Sequence, residues 1–183
     1  MKTWITSDLH FGHANILKFC PKTRGHFKDV DHMNAEMIRL WNESVKPGDL
    51  VYILGDVAFL NAERAVSILY SLNGDKILVQ GNHDSKLVKD RRFIDCFLSI
   101  HQYLAINYNG HRIIMSHYPF LEWDQMHRGS LHFYGHLHGN KTGQEHYRCK
   151  DVAFDATGQV VTLMDDAVKS IMNNEIKKHH TRE

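Results

Sequence analysis

The sequence predicts an α/β fold in which alternating strands and helices give way to paired strands. Three observations predict it. Trp4 to Thr6, Leu50 to Leu54 and Lys76 to Gln80, the last around the apolar run Ile77-Leu78-Val79, read as short buried strands, and helix-length amphipathic segments separate them. The order strand, helix, strand, helix, strand implies right-handed crossovers and a parallel sheet. Further on, Asn109-Gly110 stands between two β-favouring runs, which is a strong hairpin signal.

The elements follow in order. Trp4-Ile5-Thr6 is a short buried strand that runs into Ser7-Asp8-Leu9-His10-Phe11-Gly12-His13. Residues Cys20 to Val30, with Pro21, Lys22, Arg24, Gly25 and Lys28, predict an exposed loop leaning over a site. Asp31 is the expected N-cap of a helix reaching about Val45, with Met33, Met37, Ile38, Trp41 and Val45 on its apolar face. Pro47-Gly48 ends it. The strand Leu50 to Leu54 delivers Gly55-Asp56. Asn61 can cap the next helix, whose stripe is Ala65, Ile68, Leu69 and Leu72, and Asn73-Gly74 stops it. The third strand delivers Gly81-Asn82-His83-Asp84. Gln102 to Tyr108 and His111 to Met115 form the hairpin, and Ser116-His117 follows its return arm. A loop from Tyr118 to Ser130 leads to the strand Leu131 to Tyr134 and to Gly135-His136-Leu137-His138-Gly139. His146 to Cys149 and Val152 to Asp155 are expected strands. Thr157-Gly158 turns into Val160 to Leu163, a last helix covers about Asp165 to Glu175, and Lys177 to Glu183 form a charged, frayed tail.

Composition sets the bounds. The 183 residues suit a single domain with one good core. Net charge is +1, so no basic footprint for nucleic acid or membrane stands out. The three cysteines, Cys20, Cys96 and Cys149, show no metal spacing and no disulfide framework, which favours a reducing cytoplasm. The opening residues lack the apolar stretch of a signal peptide, and no apolar run is long enough to span a membrane. The unusual number is 15 His, which prompts a search for metal ligands.

Asp8 and His10 follow the first strand, Asp56 the second, Asn82 and His83 the third, His117 the hairpin's return arm, and His136 and His138 the strand after it. In an open α/β sheet, ligands bind beyond the carboxyl ends of the strands, so these residues converge on one edge. Carboxylates, an amide oxygen and several imidazoles without thiolate make a mixed oxygen and nitrogen set. Such a set suits Mn²⁺, Fe²⁺ or Zn²⁺ better than an all-oxygen Mg²⁺ or Ca²⁺ site. It is too large for one ion and about right for two, with Asp56 as the central bridging candidate. A phosphate ester is the electrophile that two such ions would serve.

The ordered blocks Asp8-x-His10, Gly55-Asp56, Gly81-Asn82-His83-Asp84, Ser116-His117 and Gly135-His136-x-His138 resemble those of the calcineurin-like metallophosphoesterases, in a compact form found in bacteria and phages. The resemblance runs from Trp4 to about Leu163. It implies a four-layer α/β/β/α sandwich with mixed sheets. It implies one metal on Asp8, His10, Asp56 and His138 and another on Asp56, Asn82, His117 and His136. The ions expected are two divalent metals, Mn foremost, with Fe, Zn or Ni as the others. His83 would touch the phosphate and assist the leaving group, with Asp84 as its supporting partner. His13, Arg24 and Arg128 are substrate-binding candidates, and Trp123 and His127 weaker ones.

The chain lacks the long insertion that gives DNA-repair nucleases of that family a duplex-binding cap. The expected substrate is therefore a small phosphodiester or phosphomonoester, with the diester favoured. Two alternatives stand beside it: a nuclease acting on nucleic-acid ends, and a non-catalytic metal-binding scaffold. A scaffold has no use for His83.

Overall fold

The computed structural model describes residues 1–178. Two mixed sheets lie face to face. The first is built from β1 (Thr3–Thr6), β2 (Leu50–Ile53), β3 (Asp75–Val79) and β4 (Ser99–His101), with β9 (Thr162–Leu163), in the order β4-β3-β2-β1-β9. Its first four strands are parallel, and β9 runs antiparallel to β1. The second contains β5 (Leu104–Tyr108), β6 (His111–Met115), β7 (Leu131–Tyr134) and β8 (Cys149–Asp151), in that order. The β5–β6 pair is the expected antiparallel hairpin, and β6, β7 and β8 are parallel. Asn109 and Gly110 both turn with positive φ, as a tight two-residue hairpin requires.

Alternation along the strands separates the cores. Trp4, Val51, Ile53 and Leu78 face outward from the first sheet, where α3 (Val30–Ser44) and α4 (Ala62–Ser71) cover them with Met33, Met37, Trp41, Ala65 and Leu69. Full burial of such a side chain contributes roughly 1.5–3 kcal/mol. The opposite faces, Ile5, Tyr52 and Val79, meet Ile113, Met115, Leu131 and Phe133 of the second sheet. The helix α7 (Met164–Ile171) closes one side of this middle core with Met164, Ala167, Val168 and Ile171, spaced for a single face.

The four expected layers are present, but the outermost one on the second sheet is thin. The 118–130 segment supplies it through Trp123 and Met126, which pack on Ile114 and Tyr134. His132 ties it down: its ring accepts from the Phe120 N–H at 3.1 Å, and its Nδ1 lies 3.2 Å from the Ile114 carbonyl.

Several expectations are corrected. Asp29, not Asp31, caps α3: its side chain accepts from the His32 N–H at 2.8 Å, and its extended backbone is what an N-cap needs. Residues 20–30 are only in part the expected exposed loop. After α1 (Ile16–Phe19) they form α2 (Pro21–Arg24), and Arg24 and Phe27 are buried. Residues 85–101 yield α5 (Arg91–Ile94) and the edge strand β4, neither read from the sequence. The expected strand at 152–155 is replaced by α6 (Phe154–Thr157), which follows directly on β8. The last helix ends at Ile171 rather than near Glu175. Of the expected tail, Lys177 pairs with Glu122 at 2.6 Å, and 179–183 lie outside the described residues.

Candidate metal centre

The parallel strands of both sheets deliver their ends to one place. Asp8 and His10 come off β1, Asp56 off β2, Asn82 and His83 off β3, His117 off β6, and His136 and His138 off β7. The loops are stitched side by side: the Asp8, His10 and Phe11 N–H groups donate to the carbonyls of Gly55, Asp56 and Val57. Glycines make room for this. A methyl on Gly81 would sit 2.3 Å from Asp56 Oδ1, and one on Gly135 would sit 1.9 Å from Ser7 Oγ. What Gly81 admits is therefore the Asp56 loop. Seven described non-glycine residues have positive φ, and five of them are Asp8, His10, Asp56, His136 and His138. Left-handed backbone costs about 1–2 kcal/mol per residue, so the packing around these loops must hold them in it.

Several buried polar atoms here have no hydrogen-bond partner. Asp8 Oδ2 accepts from the His136 N–H at 2.8 Å and lies 2.6 Å from Ser7 Oγ, but Asp8 Oδ1 is buried with no hydrogen-bond partner. Both ring nitrogens of His10 are also buried without one. His10 Nε2 stands 3.6 Å from Asp8 Oδ1 and 3.9 Å from Asp56 Oδ2. His138 Nδ1 is hydrogen bonded to Asp155 Oδ2 at 2.7 Å, which turns the Nε2 lone pair toward Asp8 Oδ1, 3.7 Å away. His117 repeats the device. Its Nδ1 lies 2.8 Å from the Leu54 carbonyl, and its Nε2 faces Asn82 Oδ1 at 2.7 Å and Asp56 Oδ2 at 3.6 Å.

These atoms fall into two sets of metal-ligating geometry, Asp8–His10–His138 and Asp8–Asp56–His117. Asp8 belongs to both, and Asp56 Oδ2 reaches toward both His10 and His117. Buried acceptors facing one another at these separations are stabilised by a cation between them, and the mixed donor set fits a divalent transition metal. His136 stands at the rim: its ring lies 5.1 Å from that of His117, and it joins neither set. A third grouping, Cys20–His138–Asp155, does not fit an ion. The Asp155 oxygens already accept from Arg24, Thr23 and His138, and burial pushes the Cys20 thiol up to about 11, so it carries its proton.

Titration follows these surroundings. Burial pulls the His10 imidazole down against the opposing charge of Asp8. Burial and the neighbouring His117 likewise lower His136. Burial also opposes the charged form of His138, but Asp155 and Asp8 outweigh it and raise that group. Asp155 is pushed up by burial, yet His138, Arg24 and Thr23 together hold it well below the usual carboxylate range.

Four sequence expectations fail here. Asp84 does not support His83. Its Oδ2 accepts from the N–H groups of Asp56 and Gly81 and its Oδ1 from that of Val57, so it pins the Asp56 loop. Arg24 is fully buried and cannot meet a substrate; it donates to the Asp8 and Leu9 carbonyls and pairs with Asp155 at 2.8 Å. Arg128 is exposed three residues before β7, at the amino end of the strand whose carboxyl end carries the histidines. Trp123 is core, its Nε1 donating to the Ser130 carbonyl. His13 does lie beside the centre, its ring 5.4 Å from that of His10 and stacked at 4.0 Å on Phe59.

The sequence reading missed three residues. Asp155 orients His138, and it obeys the same strand-end rule, since it follows β8 by four residues. Phe59 packs its ring against those of His10, His13 and His83. Tyr118 packs on His117 and His136. A single aromatic in a turn gives no signal of its own.

The chain is similar to other proteins over most of its length. It is 34% identical over 141 residues to an uncharacterized protein of Methanocaldococcus jannaschii, covering 76% of this chain and 70% of that protein. It is 27% identical over 198 residues to the gene 66 protein of Mycobacterium phage D29, covering 93% and 96% of the two chains. A solved protein of unknown function from Aquifex aeolicus superposes with a TM-score of 0.71 at 26% identity, covering 93% of this chain and 99% of that one. No family model matches the sequence. The Methanocaldococcus protein is therefore kin, and this chain belongs to the same family as it; the five ordered motif blocks, which resemble those of the calcineurin-like metallophosphoesterases, come together at the strand ends of the two mixed sheets.

Proposed function

We propose that the protein is a dinuclear-metal-dependent phosphoesterase that hydrolyses a small phosphodiester in preference to a phosphomonoester. The observation that carries this reading is the pair of facing acceptor sets that share Asp8 and are linked through Asp56 Oδ2. Asp8, His10, Asp56 and His138 would hold one ion, and Asp56, Asn82, His117 and His136 the other. His136 would join by turning its ring inward from the rim. Mn is the first candidate, with Fe, Zn or Ni as the others. Two such ions, when bound, supply an activated water and neutralise charge on the phosphate.

The chain's own residues do the rest. Asp84 and Arg24 hold the ligand loops from behind. Hydrolysis replaces the P–O bond to the leaving alcohol with one to a water oxygen, and the leaving oxygen must gain a proton. His83 is placed to serve it. Its side chain is 46% exposed, and its Nε2 lies 3.9 Å from Asp56 Oδ2. It offers an N–H either as a proton or as a hydrogen bond to developing charge.

Room for two ester arms favours the diester. One cavity of about 480 Å³ begins at His83 and Asn82, a second of about 390 Å³ at His138, and a third of about 240 Å³ at His117 and Tyr118. A monoester needs only one of them.

The test is turnover of bis-p-nitrophenyl phosphate and p-nitrophenyl phosphate by metal-stripped protein reconstituted with Mn²⁺. Faster turnover of the diester is expected. Activity on neither, with two ions bound, would sink the reading.

A further inference from the structure

The largest of the three cavities differs from the others in its charge. It is walled by Phe59, Leu60, Leu87, Arg64 and Lys86, opens at His83, and has no carboxylate in its lining. Arg64 and Lys86 are both exposed, and among the described residues neither side chain makes a hydrogen bond or ion pair. Arg39, Arg91 and Arg92, and the half-buried Arg112, each hold a carboxylate, whereas the exposed Arg64 and Arg128 hold none among the described residues. Two uncompensated cations on one side of a concave, partly apolar space attract an anion, and the cavity walls strengthen that attraction. Lys22 at the His138 cavity has no second cation beside it, and the His117 cavity has no charged lining at all.

The position of His83 gives this cavity its role. His83 stands between the metal-ligating atoms and the cavity and, on the phosphoesterase reading on which this inference rests, faces the leaving oxygen. The group beyond it is then the leaving alcohol. We propose that this cavity is the leaving-group subsite, and that Arg64 and Lys86 select phosphodiesters whose leaving alcohol itself carries a phosphate. Phe59, Leu60 and Leu87 would pack against the apolar part of that alcohol, while the two cations meet its second anionic group.

The experiment compares two thymidine dinucleotides with the Mn²⁺-loaded protein. One has no terminal phosphate. The other is phosphorylated at both ends, so whichever nucleoside leaves carries a phosphate. The expected result is a kcat/KM about ten-fold higher for the phosphorylated dinucleotide, from two exposed charge contacts of ordinary strength. In the R64Q/K86Q variant that ratio falls to near one. Bis-p-nitrophenyl phosphate serves as the control on the wild-type protein. If the wild type hydrolyses the control but shows no preference, the subsite assignment is overturned. The same holds if the ratio survives in the variant, whether or not both rates fall together. If the wild type hydrolyses none of the three substrates, the phosphoesterase reading itself is overturned, and this inference with it.

Discussion

Arg24 donates from Nη2 to Asp155 Oδ2 at 2.8 Å, with both side chains out of contact with solvent, and Asp155 passes the constraint on to His138. The pair sets the Asp8 loop and the His138 ring at once, because Arg24 also holds the Asp8 and Leu9 carbonyls. The two partners should fail differently. Arg24→Ala strands a buried carboxylate and should cost roughly 3–5 kcal/mol in denaturant unfolding of the metal-free protein. Asp155→Asn weakens the orientation of one ligand and should lower metal affinity by roughly 10–100-fold, read by calorimetric titration with Mn²⁺.

His83→Ala should fold and keep its metal, since the side chain is half exposed and its ring supports nothing in the core. Turnover of both p-nitrophenyl esters should fall by roughly 10²–10⁴-fold. Metal content by elemental analysis and the rate are read on the same sample. An unchanged rate would remove His83 from the mechanism.

Asp56→Asn should separate metal binding from folding of the sheets. The wild-type protein should gain thermal stability on adding Mn²⁺, because a ligand bound only to the folded state stabilises it. The variant should show little of that gain. A full gain would mean that Asp56 does not link the two acceptor sets.

Gly135→Ala tests how tightly the motif loops are packed. The added methyl meets Ser7 Oγ at 1.9 Å and Asp8 Oδ2 at 2.3 Å. Forcing it in should cost about 1–3 kcal/mol, or more if the Asp8 loop shifts. Chemical unfolding of the metal-free variant reads the cost.

Acid sensitivity should have a source away from the metal centre. The His132 ring is fully buried, donates toward Ile114 and accepts from Phe120, which the neutral form alone can do. Burial pushes it down to about 4 from 6.5. The unfolded chain therefore binds a proton that the folded chain refuses, and stability falls as pH drops from about 6.5 toward 4. The full effect is roughly 3 kcal/mol. In His132→Gln this part of the pH dependence should vanish from the difference between variant and wild-type unfolding curves. Curves that stay parallel would remove His132 as its source.

Much of the centre was legible because one topological rule covers it: polar residues directly after strands share an edge. The rule found Asp8, Asp56, Asn82 and His117 through short-range patterns alone. It missed Asp155 because Val152 to Asp155 reads as a strand with Asp155 inside it, whereas the chain turns into α6 at Phe154. Arg24 was misplaced for the opposite reason. A stretch rich in Lys, Pro and Gly reads as solvated, and only the buried carboxylate from 131 positions further along the chain makes a buried arginine tolerable. Asp84 was assigned to its neighbour in sequence, while its true partners are backbone N–H groups 27 and 28 positions away, together with that of Gly81. Long-range pairings of this kind have no periodicity to betray them.

The common direction of the parallel strands gathers the candidate metal ligands at one end of the molecule, the working end of the proposed function. The Asn109–Gly110 hairpin precedes β6, whose far end carries His117, and a side chain at Gly110 would meet nothing within 4 Å. A linker or surface tether attached at that turn leaves the working end facing outward. An immobilised form of the protein, or a fusion inserted there, should keep the metal centre open to solution.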